Sequence, residues 1–88
     1  MDDYDLSDHE KEVLRAVVEQ SIKKVDYKNP RSDLGVSLTN ENLPQVMRRL
    51  EDIGIVRFRS SGFLFFKKNF YEIQGKAKEA YDSLDLGK

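Results

Sequence analysis

A change of hydrophobic period at Gly54 is the feature that most constrains how this chain can fold. Upstream, in NENLPQVMRRLEDI, apolar residues recur every three or four positions, which predicts a helix over about 40–53. Downstream, IVRFRSSGFLFFKKNFYEI alternates and is rich in β-branched and aromatic residues, as strands are. Glycine takes the left-handed conformation that ends a helix at little cost. We therefore expect the chain to turn from helix into sheet here, burying Leu50, Ile53, Ile55 and Val56 together.

Further helices are predicted on both sides of this change. Ser7 and Glu10 have the spacing of a capping box, and the apolar stripe that follows predicts a first helix over about 8–25. The turn-rich stretch after it has room for only one or two helical turns near 31–36. A last amphipathic helix is predicted after Gly75.

The strand-like run predicts a β-hairpin with arms near 55–59 and 63–73, joined by a turn at 60–62. A second registration, with the turn at 67–69, is left open. Five aromatic side chains lie between positions 63 and 71, more than one face of a two-stranded hairpin can bury. Phe58, one of Phe70 and Tyr71, and one of the pairs Phe63/Phe65 and Leu64/Phe66 are therefore expected in the core. The remaining pair is expected on an apolar surface of the kind that meets a partner.

Length and composition indicate one small domain, expected to span 1–88 with an acidic, frayed tail at 1–6. Its 88 residues, 39% of them hydrophobic, can form one core of modest stability, which a homodimer interface would supplement. The chain has no cysteine, and no apolar run approaches the roughly 20 residues that cross a bilayer. Its acidic start lacks the pattern of a signal peptide. We expect a cytoplasmic location and no membrane partner.

Charge is distributed unevenly along the chain. Residues 1–12 carry six acidic side chains against one lysine, whereas residues 45–78 carry eight basic side chains against three acidic ones. A basic face on a chain of net charge −1 is compatible with phosphate binding, although charged runs are usually just solvated surface.

The sequence gives little support to the hypothesis that the protein is an enzyme. His9 is the only histidine and has no nucleophile beside it, and there is no glycine-rich phosphate loop and no calcium-loop spacing. We therefore expect no enzymatic activity, no cofactor and no metal site. The sequence also gives no sign of an effector pocket.

The order of helix, broken segment, helix, glycine, hairpin and helix resembles the winged helix-turn-helix family of small transcription regulators, over roughly residues 36–84. RRLEDIGIV, at 48–56, fits the pattern R-x-L-E-x-x-G-[LI]-[VI] that ends the recognition helix in many members. YEIQGK, at 71–76, is a shortened form of their Y-x-[LI]-[TS]-x-x-G-K. The resemblance implies an α+β fold, namely a winged helix-turn-helix with a three-helix core, a two-stranded β-hairpin wing and a C-terminal helix.

The resemblance also implies sequence-specific binding of double-stranded DNA by a transcription regulator. Its third helix, at about 40–53, would lie in the major groove, where Asn and Gln can pair with adenine and Arg with guanine, and the wing would hold phosphates. The DNA-binding residues implied are Asn40, Glu41, Asn42, Gln45, Arg48 and Arg49 on the helix, and Arg57, Arg59, Lys67 and Lys68 on the wing.

An alternative is a winged-helix module that binds protein through the aromatic wing and never touches DNA. The overall acidity and the apolar wing favour it. The residues expected at a dimer or partner surface are Phe63, Phe65, Phe66, Tyr81 and Leu84. Stacking of wing phenylalanines on unpaired bases, beside Lys67 and Lys68, is a third possibility.

Overall fold

The computed structural model describes residues 5–35, 42–63 and 65–87, and these residues form an α+β fold of four helices and a three-stranded antiparallel sheet. The helices are α1 (Asp8–Glu19), α2 (Pro30–Leu34), α3 (Leu43–Asp52) and α4 (Lys76–Ser83). The strands are β1 (Lys24–Asp26), β2 (Val56–Ser61) and β3 (Lys68–Ile73).

The capping box predicted at the start of α1 is confirmed. The Ser7 hydroxyl accepts a hydrogen bond from the Glu10 N–H at 3.2 Å, and the Glu10 carboxylate accepts one from the Ser7 N–H at 3.1 Å. Two N–H groups that would otherwise lack a helical partner are satisfied in this way.

The frayed tail expected at 1–6 is wrong at its last two positions, and residues 1–4 lie outside the described residues. Leu6 is only 7% exposed and belongs to the core. The Asp5 carbonyl accepts a hydrogen bond from the Arg49 side chain at 3.3 Å. Burial of the leucine side chain is favourable even within an acidic run, which fixes the chain just before the helix.

The first helix ends earlier than the sequence predicts. It stops at Glu19, and Ser21 takes a left-handed φ of 54°. The Ile22 N–H donates to the Val17 carbonyl at 2.9 Å, one of the two hydrogen bonds of a Schellman motif. Because serine occupies the position where glycine is usual, the sequence carries no ordinary stop signal there.

The predicted β-hairpin is present as β2 and β3, but the residues after this stop add a third strand that the sequence did not predict. The strand order is β1-β3-β2, with both pairings antiparallel. Val25 of β1 is fully buried and lies opposite Tyr71 of β3. Lys24 and Val25, two residues of the predicted first helix, therefore help to cover the open edge of the hairpin.

Neither predicted turn position in the hairpin is correct. β2 continues through Ser61 and β3 begins at Lys68, which are paired, so the chain reverses in residues 62–67, which we call the tip loop. Gly62 has a φ of 135°, and a β carbon at this position would collide with the Phe66 carbonyl. This requirement for glycine at the loop entrance ends the strand.

Gly54 has its predicted role at the end of α3. It takes a φ of 86°, and the Ile55 N–H donates to the Leu50 carbonyl at 2.9 Å. The chain turns at once into β2, and Leu50, Ile55 and Val56 are buried together as expected, whereas Ile53 is only partly buried. α3 itself begins at Leu43, and residues 36–41 of its predicted approach lie outside the described residues.

The core lies between the helices and one face of the sheet. α1 packs against α3 and α4, and α3 packs against β2. The largest fully buried side chains are Leu14, Leu34, Leu43, Met47, Leu50, Ile55, Val13, Val17, Val25 and Val56. No helix within the described ranges has the length and apolar character needed to cross a bilayer.

Alternation along the strands gives the sheet two distinct faces. The inner face, toward the core, carries Val25, Val56, Phe58 and Tyr71. The outer face carries Lys24, Asp26, Arg57, Arg59, Lys68, Phe70 and Glu72.

Replacing Ser7 with alanine removes the hydroxyl that caps α1. We expect the free energy of unfolding to fall by about 1 kcal/mol. Urea denaturation followed by circular dichroism measures the change, and Ser60→Ala, at an exposed strand position, is the control. An equal loss in both variants would contradict the capping role.

Candidate nucleic-acid interface and aromatic groove

One side of α3 is exposed and carries polar groups suited to a nucleic acid. Gln45 and Arg48 are exposed, whereas Leu43, Met47 and Leu50 are buried on the opposite side. Residues three apart are neighbours on a helix, so the amide and the guanidinium lie next to each other. The first turn of α3 contains no acidic residue. The positive end of the helix dipole is therefore not offset by a carboxylate within that turn.

The two consecutive arginines of α3 have different surroundings. The Arg49 side chain donates to the Asp5 carbonyl at 3.3 Å, and its Nε lies 3.9 Å from the Glu10 carboxylate. Arg48, about 100° further around the helix axis, is exposed on the side toward the sheet. Within the described residues, Arg49 is part of an ion pair and Arg48 is not. The structure thus directs Arg49 toward the start of α1 and leaves Arg48 open to an incoming group.

The start of the predicted recognition helix is described only in part. Asn42 is at the N-cap position of α3, and its side chain forms no capping hydrogen bond. Asn40 and Glu41 lie outside the described residues.

The cations predicted on the wing do not share a side with Arg48. Arg57, Arg59 and Lys68 belong to the outer sheet face, whereas α3 lies against the inner face. Arg59 also lies 3.5 Å from the Glu72 carboxylate. Lys67 is exposed at the end of the tip loop. Of the four wing cations, three therefore point away from the exposed side of α3.

The phenylalanines of the tip loop are exposed, so the expectation that one of the two pairs would enter the core is wrong, whereas Tyr71 is buried as expected. Phe63, Phe65 and Phe66 are 77%, 93% and 84% exposed. They lie beyond the last paired residues of the hairpin, out of reach of the inner sheet face. The loop therefore presents a projecting apolar surface, as expected for a partner contact.

Tyr81 and Leu84, predicted at the same partner surface, lie elsewhere. Both are half-buried against the core on α4. The Tyr81 hydroxyl donates to the Glu19 carboxylate at 2.8 Å, and this hydrogen bond raises the pKa of Tyr81. α4 follows the end of β3 that is remote from the tip, and six residues at about 3.3 Å each separate the two ends by roughly 17 Å. These two residues and the tip phenylalanines therefore belong to separate surfaces.

Three aromatic rings meet where the inner sheet face opens to solvent beside α3. The ring centroids of Tyr27 and Phe58 are 5.2 Å apart, those of Tyr27 and Tyr71 5.6 Å, and those of Phe58 and Tyr71 6.0 Å. Tyr71 is buried, whereas Tyr27 is 48% and Phe58 39% exposed. The rings form one wall of a cavity of about 620 Å³, which we call the aromatic groove. Its remaining lining residues are Lys28, Pro30, Leu43, Pro44, Met47, Arg48 and Glu51.

Other groups of the aromatic groove influence the ionisation of Tyr71. Burial raises the pKa of Tyr71, the nearby Tyr27 and Glu51 raise it further, and the positive charge of Arg48 acts in the opposite direction. The lining of the groove combines one carboxylate, two cations and two phenols with apolar side chains. This combination of a concave apolar surface with a few polar groups is typical of ligand sites.

Tyr27 is the residue of this groove that was hardest to select from the sequence. It follows directly on β1, a strand that the helical period concealed. Two carboxylates fix the connection that carries it, because Asp33 accepts from the Asp26 N–H at 2.7 Å and Asp26 accepts from the Asn29 N–H at 2.9 Å. Only the Asp and Asn content of the stretch, typical of such turns, signalled this local order.

No cluster of three or more His, Asp or Glu side chains that could hold a metal ion occurs in the part of the chain that the structure describes. Comparison of the chain with models of protein families, with curated proteins and with solved structures finds no match.

Removing the Tyr71 hydroxyl should make the protein less sensitive to alkali. Since the pKa of Tyr71 is raised in the folded state, the unfolded chain loses this proton first, near its ordinary pKa of about 10. The stability due to the neutral phenol is therefore complete below that pH and is lost as the pH rises through the folded pKa. We expect the free energy of unfolding to decline less steeply above pH about 10 in Tyr71→Phe than in the wild type.

Denaturant titrations of the wild type and Tyr71→Phe on both sides of that pH measure the effect. Identical alkaline declines in the two proteins would show that burial of Tyr71 does not disfavour its ionised form.

Proposed function

We propose that this chain is a winged-helix transcription regulator that binds double-stranded DNA with α3 directed to the major groove. The observation that carries the proposal is the exposed Gln45–Arg48 side of α3, with an arginine in no ion pair among the described residues and no acid in the first turn. Major grooves are about 12 Å wide and admit a helix presented in this way.

The arrangement of elements supports the proposal. A helix precedes β1, two helices separate it from the hairpin, and β1 closes the edge of β3. The hairpin thus projects beside α3, as the wing of a winged helix would. The RRLEDIGIV segment lies at the junction of α3 and β2, where the resemblance requires it.

Individual roles follow from the positions of the side chains. Gln45 is suited to pair with adenine and Arg48 with guanine, each contributing about 1–3 kcal/mol of discrimination. Lys28, beside Arg48 in the aromatic groove, and Lys67, in the tip loop, are suited to phosphates. Arg49 holds α3 to the residues before α1. In this proposal the cations of the outer sheet face raise the local potential without touching DNA.

The tip-loop phenylalanines favour a second contact, either with another copy of this chain or with a different protein. Three phenylalanines at least 77% exposed on one projecting loop are more apolar surface than a solitary chain retains without use. We propose a homodimer formed through the tip loop, which would present two recognition helices to successive turns of DNA.

A protein-binding module without DNA binding is the alternative. A cytoplasmic location and the absence of enzymatic activity stay predictions.

The neighbouring arginines of α3 provide a matched test of the DNA proposal. Arg48→Gln and Arg49→Gln remove the same charge at consecutive positions. On random-sequence duplex DNA, where no guanine is positioned for Arg48 to read, we expect Arg48→Gln to lower the slope of log affinity against log salt by about 1, because one cation that displaces counterions from the DNA is lost. Arg49→Gln should leave the slope nearly unchanged and lower stability by about 0–1 kcal/mol, since it breaks a surface ion pair.

Fluorescence anisotropy with random-sequence duplex DNA at several salt concentrations measures both slopes. Absence of salt-dependent binding by the wild type would refute the proposal. Equal loss in the two variants would mean that the exposed side of α3 is not the contact.

Replacing tip-loop phenylalanines tests the dimer. We expect Phe65→Ser/Phe66→Ser to be monomeric at concentrations where the wild type is dimeric, because the interface loses its apolar centre. Sedimentation equilibrium gives the dissociation constants, and Tyr27→Ser, at another exposed aromatic residue, should dimerise normally. A monomeric wild type over the whole concentration range would contradict the homodimer.

A further inference from the structure

We infer that the aromatic groove is a binding site for a planar aromatic molecule that carries a single negative charge, such as an aromatic carboxylate. Nothing in the proposed DNA contacts requires the three-ring wall of Tyr27, Phe58 and Tyr71. Two of its rings are 48% and 39% exposed although they touch each other, so their outward faces are free to be covered.

The ring geometry favours a flat ligand. Tyr27 and Phe58 meet edge to face, with their planes at 76°, and Tyr27 and Tyr71 are tilted by 41°. Rings packed at 5.2 to 6.0 Å leave no room for a cation between them, so they form a wall and not a cage. Aromatic pairs prefer offset or edge-to-face contacts, which a planar ligand can make with the exposed rings. Pro30, Pro44 and Met47 supply apolar surface around the same cavity.

The charges that border the groove favour one negative charge on the ligand. Lys28 and Arg48 are cationic and Glu51 is anionic, so the lining carries a net charge of +1. A guanidinium can bind a carboxylate through two parallel hydrogen bonds. The Arg48 guanidinium is available for this, because it is in no ion pair within the described residues. Glu51 would repel a second negative charge, which disfavours phosphate monoesters.

Occupation of the groove would also compete with DNA for Arg48. This regulatory consequence rests on the proposed function, whereas binding of the ligand itself does not. Both partners need the same guanidinium, so each should weaken the binding of the other by the same factor.

Naphthoate is a suitable probe, since it is flat, carries one negative charge and is fluorescent. Its neutral and cationic counterparts, naphthamide and naphthylmethylammonium, share the ring system and differ in charge. Titration of each into the wild type, followed by the change in probe fluorescence, should show tightest binding for naphthoate. Arg48→Gln should weaken naphthoate binding about tenfold and leave naphthamide binding almost unchanged, because a charge-assisted contact is lost. The matched control is Arg59→Gln, at an exposed arginine of the outer sheet face, which should bind all three probes as the wild type does.

Amide chemical shifts of the wild type locate the probe independently of any variant. Changes upon addition of naphthoate should centre on residues 27, 28, 58 and 71. Equal affinity for the three probes, equal effects of Arg48→Gln and Arg59→Gln, or shifts centred elsewhere would each overturn the inference.

A competition experiment separates this inference from the proposed function. If the protein binds both naphthoate and duplex DNA, saturating naphthoate should weaken DNA binding, and an unchanged DNA affinity would overturn the regulatory step. Naphthoate binding with no DNA binding at any salt concentration would refute the proposed function and leave the ligand site standing. DNA binding without naphthoate binding would overturn the ligand site and leave the proposed function standing.

Discussion

The pairing of β1 with β3 determines where most of the candidate groups lie. It makes β3 a central strand, bonded on both sides, and it buries Val25 against Tyr71. It also brings Tyr27 and Lys28, from the middle of the sequence, beside Phe58 and the exposed side of α3. Without this pairing the hairpin would be an isolated ribbon with an open edge, and the aromatic groove would lack one of its walls.

The features that the sequence predicted correctly are those fixed by nearby residues. The capping box and the stop at Gly54 each depend on hydrogen bonds between residues a few positions apart, and each uses the residue type that such bonds favour. The early end of α1 is equally local, but serine occupies the position where glycine is usual, so the residue type did not indicate that the helix ends there. The third strand and the extent of the tip loop depend on pairing with distant residues and on the close packing at Gly62, which periodicity does not report.

The positions of single side chains at the candidate site also depend on contacts with distant residues, and the sequence did not predict them. Arg48 and Arg49 are the same residue type at consecutive positions, yet one borders the groove and the other is bound to the segment before α1. Their difference comes from the rotation of α3 against its neighbours, which the buried positions of the helix set. Strand alternation likewise placed Arg57 and Arg59 on the outer face once the register was fixed. The sequence could therefore indicate which residues were candidates for the site, but not which of them lie on the same surface.

The long sequence separation between β1 and β3 also has a consequence for folding. α3, Gly54 and the hairpin are contiguous, so their contacts close short loops, whereas β1 must find its partner across about half of the chain. A three-residue strand at the sheet edge is a weak unit for such a contact, and segments of this kind are among the first to open in a native protein. The aromatic groove would then be assembled late and lost early. Any molecule that bridges its walls would slow the release of β1. The fraction of molecules in which β1 is paired with β3 would therefore increase with occupancy of the groove.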